Sequence, residues 1–150
     1  QFQCQSEALA RNILEMAALP TPTVAVVIGE GGSGGALALG VADRVLMFEN
    51  SVYSVITPEG CAAILWKDAG QRERAADALK LTADDLMRFK LVDEIIKEPM
   101  GGAHLDPDAT GEALREALIR HVNELRKIRP EKLVRRRADK YGAMGAYTEA

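Results

Sequence analysis

A run of apolar, mostly β-branched residues, Val24-Ala25-Val26-Val27-Ile28, leads straight into Gly29-Glu30-Gly31-Gly32-Ser33-Gly34-Gly35 and then into Ala36-Leu37-Ala38-Leu39. This stretch constrains the fold more than any other. An apolar run without polar alternation predicts a strand buried on both faces, as in a parallel sheet. The small apolar residues after the glycines predict a short helix to about Gly40, and Arg44-Val45-Leu46-Met47-Phe48 predicts a second strand. The three together make a compact βαβ unit, for which a right-handed crossover is the default. Five glycines among the eight residues from Gly29 to Ala36 leave the turn with almost no side chains. Backbone N–H groups are then exposed together at a helix start, where the helix dipole adds partial positive charge. An oxygen that carries, or acquires, negative charge suits such a place.

The remaining pattern is that of one α/β domain. A chain of 150 residues is long enough to bury a core. A net charge of −3 argues against nucleic-acid binding by the whole domain. Cys4 and Cys61 are too few and too far apart for a disulfide framework or a zinc site, and are expected as free thiols in a reducing, cytoplasmic setting. No run reaches membrane-spanning length and no signal-peptide pattern opens the chain. The start at Gln1, without Met, suggests a piece of a longer protein.

Ser6 is a candidate N-cap for a first helix whose Leu9, Ile13, Met16 and Ala17 share a face, ended by Pro20 and Pro22. Ser51–Ile56 predicts a short strand. Thr57-Pro58-Glu59 then reads as an N-cap, a proline at the first helical position and an acidic first turn, opening a helix to Trp66. Helices are expected over 71–80 and after the capping residues Thr82–Asp85, and a brief strand within 91–96. Pro99–Pro107 reads as loop. Leu114, Leu118, Val122 and Leu125 mark a long amphipathic helix, with Glu116 and Arg120 as an i,i+4 pair, broken by Pro130. No internal sequence repeat is visible.

The glycine turn admits three chemical readings. Gly29-Glu30-Gly31-Gly32-Ser33-Gly34 satisfies G-x-G-x-x-G, with Glu49 about 20 residues on, as a dinucleotide site requires. Against this, the helix is short and Glu30 would repel a pyrophosphate. Gly31-Gly32-Ser33-Gly34-Gly35 satisfies G-x-S-x-G, with His104 and His121 as the available bases. A glycine-rich stretch produces that match cheaply. The third reading is an oxyanion hole without a nucleophile, which needs small residues and no particular side chain. A plain tight turn packing helix on sheet is the structural alternative to all three.

Longer words in the chain are more specific. Gln5-Ser6-Glu7-Ala8-Leu9-Ala10-Arg11-Asn12, then Val27-Ile28 followed by the glycine stretch to Ala38, then Tyr53-Ser54-Val55-Ile56-Thr57-Pro58-Glu59-Gly60-Cys61 running on to Lys67, then Glu98-Pro99-Met100-Gly101-Gly102-Ala103-His104 occur in that order. Together they resemble the carboxyltransferase alpha subunits of bacterial acetyl-CoA carboxylase, over most of the chain. The resemblance implies a crotonase-like (ClpP/crotonase) spiral of ββα units with C-terminal helices. Residues 1–107 would be the carboxyltransferase core, incomplete at its N-terminus, and 108–150 a C-terminal helical region. It implies carboxylate transfer from carboxybiotin, borne on the biotin carboxyl carrier protein, to acetyl-CoA, giving malonyl-CoA for fatty-acid synthesis. The active site would lie between this chain and a zinc-ribbon-bearing beta subunit in an alpha2-beta2 assembly, with no metal in this chain. Carried over by motif, the N–H groups of Gly34, Gly35 and Ala36 would form the oxyanion hole for the biotin ureido oxygen. Gly31, Gly32 and Ser33 would shape the approach, and Thr57, Pro58 and Glu59 would border the cleft. The family has a longer N-terminal portion, including an active-site loop before the Gln5 helix, and the lead-in Gln1-Phe2-Gln3-Cys4 departs from the charged one expected there. The chain by itself is therefore expected to be inactive or to associate abnormally. Two other outcomes stand beside this reading: another crotonase-fold acyl-CoA hydratase or isomerase, for which Glu59 is the candidate acid, and a non-catalytic assembly fragment.

Lesser signals have plain structural readings. His104 is expected as a loop cap, Trp66 as a core or interface anchor, and Lys67, Arg72 and Arg74 as a solvated face. The basic stretch from Arg126 to Lys140 is expected to pair with acidic neighbours in an oligomer.

Overall fold

The computed structural model describes residues 2–145, and side chains from Ser6 onward. The expected free thiol of Cys4 and the last residues of the C-terminal region lie outside that range, while Cys61 is a buried free thiol. After helix α1 (Phe2–Ala18) the chain makes the same turn of structure twice. Strands β1 (Val24–Val27) and β2 (Glu30–Gly32) lead to helix α2 (Ser33–Gly40), and strands β3 (Arg44–Phe48) and β4 (Val52–Ser54) lead to helix α3 (Pro58–Trp66). Helices α4 (Arg72–Leu79) and α5 (Ala83–Arg88) precede strand β5 (Glu94–Ile96), and helices α6 (Pro107–Leu125) and α7 (Pro130–Gly142) close the described chain. The repeat lies in the backbone path and leaves no sequence repeat.

Successive ββα units stack strand on like strand. One parallel sheet has the order β1-β3-β5, with Val24 opposite Arg44 and Leu46 opposite Glu94. A second pairs β2 with β4, placing Gly31 opposite Tyr53. β3 is central, and four of its five residues are buried. β1 is only half-buried at every position, which corrects the expectation of a strand covered on both faces. Its apolar run is suited to a sheet centre, but among the described residues it holds the sheet's edge.

The core has two layers about this sheet. Val45, Met47, Ala83, Leu86 and Val92 pack on one side, and Leu46, Phe48, Ile96 and Ala117 of α6 on the other. A satellite cluster of Cys61, Ala62 and Ala75 joins α3 to α4, with Trp66 packed against it and the Arg74 guanidinium 4.3 Å from its ring centre. Local chemistry sets the helix starts. Thr57, Thr82 and Asp106 each accept a hydrogen bond from a first-turn N–H, as N-caps do. Pro130 both ends one helix and opens the next at its first turn. Ser6 lies inside α1, which begins at Phe2, ahead of where a Ser6 cap would start it. Arg120 does not serve the expected pair with Glu116; it reaches Glu94 on β5 at 2.5 Å.

The basic C-terminal stretch finds its acids within the chain. Arg137 is 1% exposed and its guanidinium makes two bonds, at 3.1 and 2.8 Å, to the Asp43 carboxylate. The same group donates to the carbonyls of Met16, Ala17, Leu19 and Thr21, closing the end of α1 and the lead into β1. Lys140 donates to Asp93 at 2.5 Å, and Asp93 also accepts from the Val45 N–H.

Candidate active site at the start of helix α2

Part of the predicted glycine turn is a strand. Glu30–Gly32 pairs in parallel with Val52–Ser54, and helix α2 starts at the next residue. Gly32 is the N-cap, with φ −133° and ψ 146°, and no side chain caps the helix. The first N–H groups of a helix have no partner within it. Here Ser33, Gly34 and Gly35 hold that position, and Ala36 is the first residue able to donate to the cap's carbonyl. Ser33 carries the strain of the transition, with φ 58° in the left-handed region.

The glycines divide by the reason they are needed. Gly31 and Gly40 are needed for packing: a Cβ on Gly31 would lie 3.0 Å from the Tyr53 ring, and one on Gly40 would lie 2.6 Å from the Tyr53 hydroxyl. Gly29, Gly32 and Gly35 differ. None has a positive φ, and a Cβ on any of them would meet nothing within 4 Å. Nothing in the described chain requires glycine there, so the space they leave is free for something outside it.

Two cavities flank the helix start. One, of about 710 Å³, is lined by the β1 strand, Gly29–Gly32, Gly35, Ala36, Leu39 and Tyr53. The other, of about 380 Å³ and largely apolar, is lined by Ser33, Gly34 and Leu37 with Tyr53–Val55, Leu86, Leu91 and Tyr141. Gly31, Gly32, Ser33, Gly34, Gly35 and Ala36 therefore all border one cavity or the other. Thr57, Pro58 and Glu59 line neither. Thr57 caps α3, accepting from the Gly60 N–H at 3.2 Å, and Glu59 is exposed. Tyr53, which lines both cavities, was not singled out by the sequence. Its only sequence signal is a bulky residue on a strand facing a glycine-rich partner.

The alternative chemistries find no support in the geometry. Glu49, the acid a dinucleotide ribose would need, is held by Lys97 at 2.5 Å and by the Glu98 N–H. Those bonds, the Lys97 one foremost, hold its carboxyl below the usual range. Glu30 lines the larger cavity, where it opposes a phosphate. Neither histidine lines a cavity with Ser33. His121 is buried with Nε2 2.6 Å from Glu94. His104 lines a separate cleft with Glu49 and Glu98. There Glu98 accepts from the N–H groups of Asn50 at 2.9 Å and Ala103 at 2.8 Å, and the Asn50 bond leads in lowering its pKa. Among the described residues no three metal-ligating side chains converge, and no helix is long and apolar enough to cross a membrane.

Known proteins of similar sequence and fold agree with the resemblance. The acetyl co-enzyme A carboxylase carboxyltransferase-like family matches residues 2–145. The acetyl-coenzyme A carboxylase carboxyl transferase subunit alpha of Gemmatimonas aurantiaca is 64% identical over 148 residues, covering 97% of this chain and 46% of that protein. The subunit of the same name from Geobacter metallireducens is 55% identical over 145 residues, with the same two coverages. The chain thus spans about half the length of the curated relatives it matches. Among solved structures, transcarboxylase 12S superposes with a TM-score of 0.57 at 21% identity, over 77% of this chain and 22% of that one. An enoyl-CoA hydratase from Bacillus halodurans does so with a TM-score of 0.54 at 17% identity, over 87% and 51%. At such identity these two speak for the fold alone, which is the expected crotonase-like one. By sequence match along nearly its whole described length, the chain belongs to the acetyl co-enzyme A carboxylase carboxyltransferase-like family.

Proposed function

We propose that this chain is the biotin-facing part of the carboxyltransferase component of acetyl-CoA carboxylase. It acts in transfer of carboxylate from carboxybiotin on its carrier protein to acetyl-CoA, giving malonyl-CoA. The observation that carries the reading is the pair Gly32 and Gly35, glycines that neither backbone conformation nor internal packing requires, at an uncapped helix start beside a cleft. When carboxybiotin gives up its carboxylate, negative charge develops on the ureido oxygen. The Gly34 and Gly35 N–H groups stabilise that charge, Ala36 adds the helix dipole behind them, and Gly31, Gly32 and Ser33 keep the approach clear. Removing one donor from a comparable hole costs about 2.7–4 kcal/mol of transition-state stabilisation.

No side-chain base borders the turn apart from Glu30, and this reading needs none there, because the ureido group itself accepts the acetyl proton. The thioester enolate requires a second hole, which falls to a zinc-ribbon-bearing beta subunit. Thr57, Pro58 and Glu59 then serve the rim facing that partner rather than the helix start. The core up to residue 107 carries the site, and the C-terminal helices brace it through α6 on the sheet and α7 on α1. A hydratase would need a buried acid near the thioester, and the exposure of Glu59 weighs against that alternative.

The test is Gly35→Val in the assembled enzyme. With nothing within 4 Å of the new Cβ, the fold and assembly are expected to survive. Carboxyl transfer should fall by roughly 100-fold or more, because the new side chain fills the space through which the ureido oxygen reaches the donors, and an oxygen kept from them loses as much as one facing a missing donor. Turnover within twofold of the parent would overturn the assignment of the site.

A further inference from the structure

Helix α2 is a weak helix by sequence. Three of its eight residues are glycine, the residue least suited to a helix after proline. It has no side-chain cap at its start, and its last four carbonyls, Leu37 to Gly40, lack donors within the helix. Two of those carbonyls are served from elsewhere in the chain. Asn12 on α1 donates from Nδ2 to the Ala38 carbonyl at 2.7 Å. The Tyr141 hydroxyl on α7 donates to the Gly40 carbonyl at 2.5 Å and accepts from the Ala42 N–H at 2.9 Å. Tyr53 on β4 fills the space beneath, its hydroxyl 3.5 Å from the Ala36 carbonyl and fitted against the bare Cα of Gly40. Burial raises the pKa of both tyrosines, so the hydroxyls stay protonated donors.

These bonds grip the end of α2 remote from its free N–H groups. The helix is only about 12 Å long, so a shift of its far end is carried to its near end. We propose that Asn12 and Tyr141 are positioning residues that hold helix α2 from its C-terminal end and thereby aim the Gly34 and Gly35 N–H groups. Helices α1 and α7, whose hydrogen bonds to α2 fall at its far end, are in this way part of the catalytic device. The inference rests on reading that start as the oxyanion site.

Two variants in the assembled enzyme test it. Tyr141→Phe keeps the ring and deletes the donor. Asn12→Asp keeps the shape and replaces the donor by an oxygen that repels the Ala38 carbonyl, at a half-buried position on α1. Misaligned donors should lower kcat roughly tenfold or more while leaving KM for acetyl-CoA unchanged. The backbone amide NMR resonances of Gly34 and Gly35 should shift in both variants. A lowered Tm with kcat and the Gly34 and Gly35 resonances unchanged would make these bonds ordinary capping and overturn the proposal. The resonance readout does not depend on the reaction. Loss of the oxyanion reading, seen as an active Gly35→Val enzyme, is therefore distinguishable from loss of the positioning role.

Discussion

Arg137 is the residue on which several elements depend. It is a buried cation with a carboxylate partner and four carbonyl acceptors, so its burial is compensated in full. Arg137→Leu would leave the Asp43 carboxylate buried without its cation, and it would orphan the end of α1. Breaking one side of such a pair costs about 3–5 kcal/mol, which a urea unfolding curve of the chain would read as a lowered midpoint. A shift of less than about 1 kcal/mol, the scale of an exposed pair, would contradict this role. The sequence showed only one more arginine in a basic run. Helical spacing puts Arg137, rather than Arg135 or Arg136, on the face of Leu133 and Tyr141, but nothing local names its buried partner, because Asp43 is distant in the chain. Asn12, Tyr53 and Tyr141 were hidden for the same reason: their partners are backbone carbonyls or glycines in other elements, and backbone groups carry no sequence signal.

At the scale of elements, local signals translated well wherever one residue settles one backbone group. Thr57-Pro58-Glu59 is the clearest case, a cap, a first-turn proline and an acid in the order the helix start needs. Thr57→Ala should destabilise the chain by about 1 kcal/mol, while Thr57→Ser should restore most of it. Thermal unfolding of both variants checks this, and equal loss in the two would show that the hydroxyl is not the cap. Signals that depend on neighbours translated less well. The apolar run of β1 resembles that of β3, yet one is a half-buried edge and the other a buried centre. The glycine stretch was read as a turn, but three of its residues pair with β4, since glycine's lack of β-propensity is overridden where Tyr53 packs across Gly31. Arg120 left its helical neighbour Glu116 for Glu94, where His121 also binds, as a strand acid nearby offers a better-fixed partner than a solvated one.

Across the whole molecule, two ββα units and a third core strand build a wall, and the free N–H groups of one short helix stand at its edge. Large apolar side chains remain exposed around that edge, with Ile28 and Leu39 each 70% and Val55 76% accessible. Large apolar side chains exposed near one another in this way suit a place where other protein surface fits. It accords with the proposed half-site, whose thioester hole and opposite wall would come from a second subunit. The central claim is therefore that this chain contributes one charge-stabilising element to a reaction that needs a second subunit. Formation of malonyl-CoA from carboxybiotin and acetyl-CoA, by the complete alpha subunit with and without its beta subunit, tests that claim most directly. Transfer by the pair and none by the alpha subunit alone is the result expected; turnover without the beta subunit, or none with it, would contradict the account.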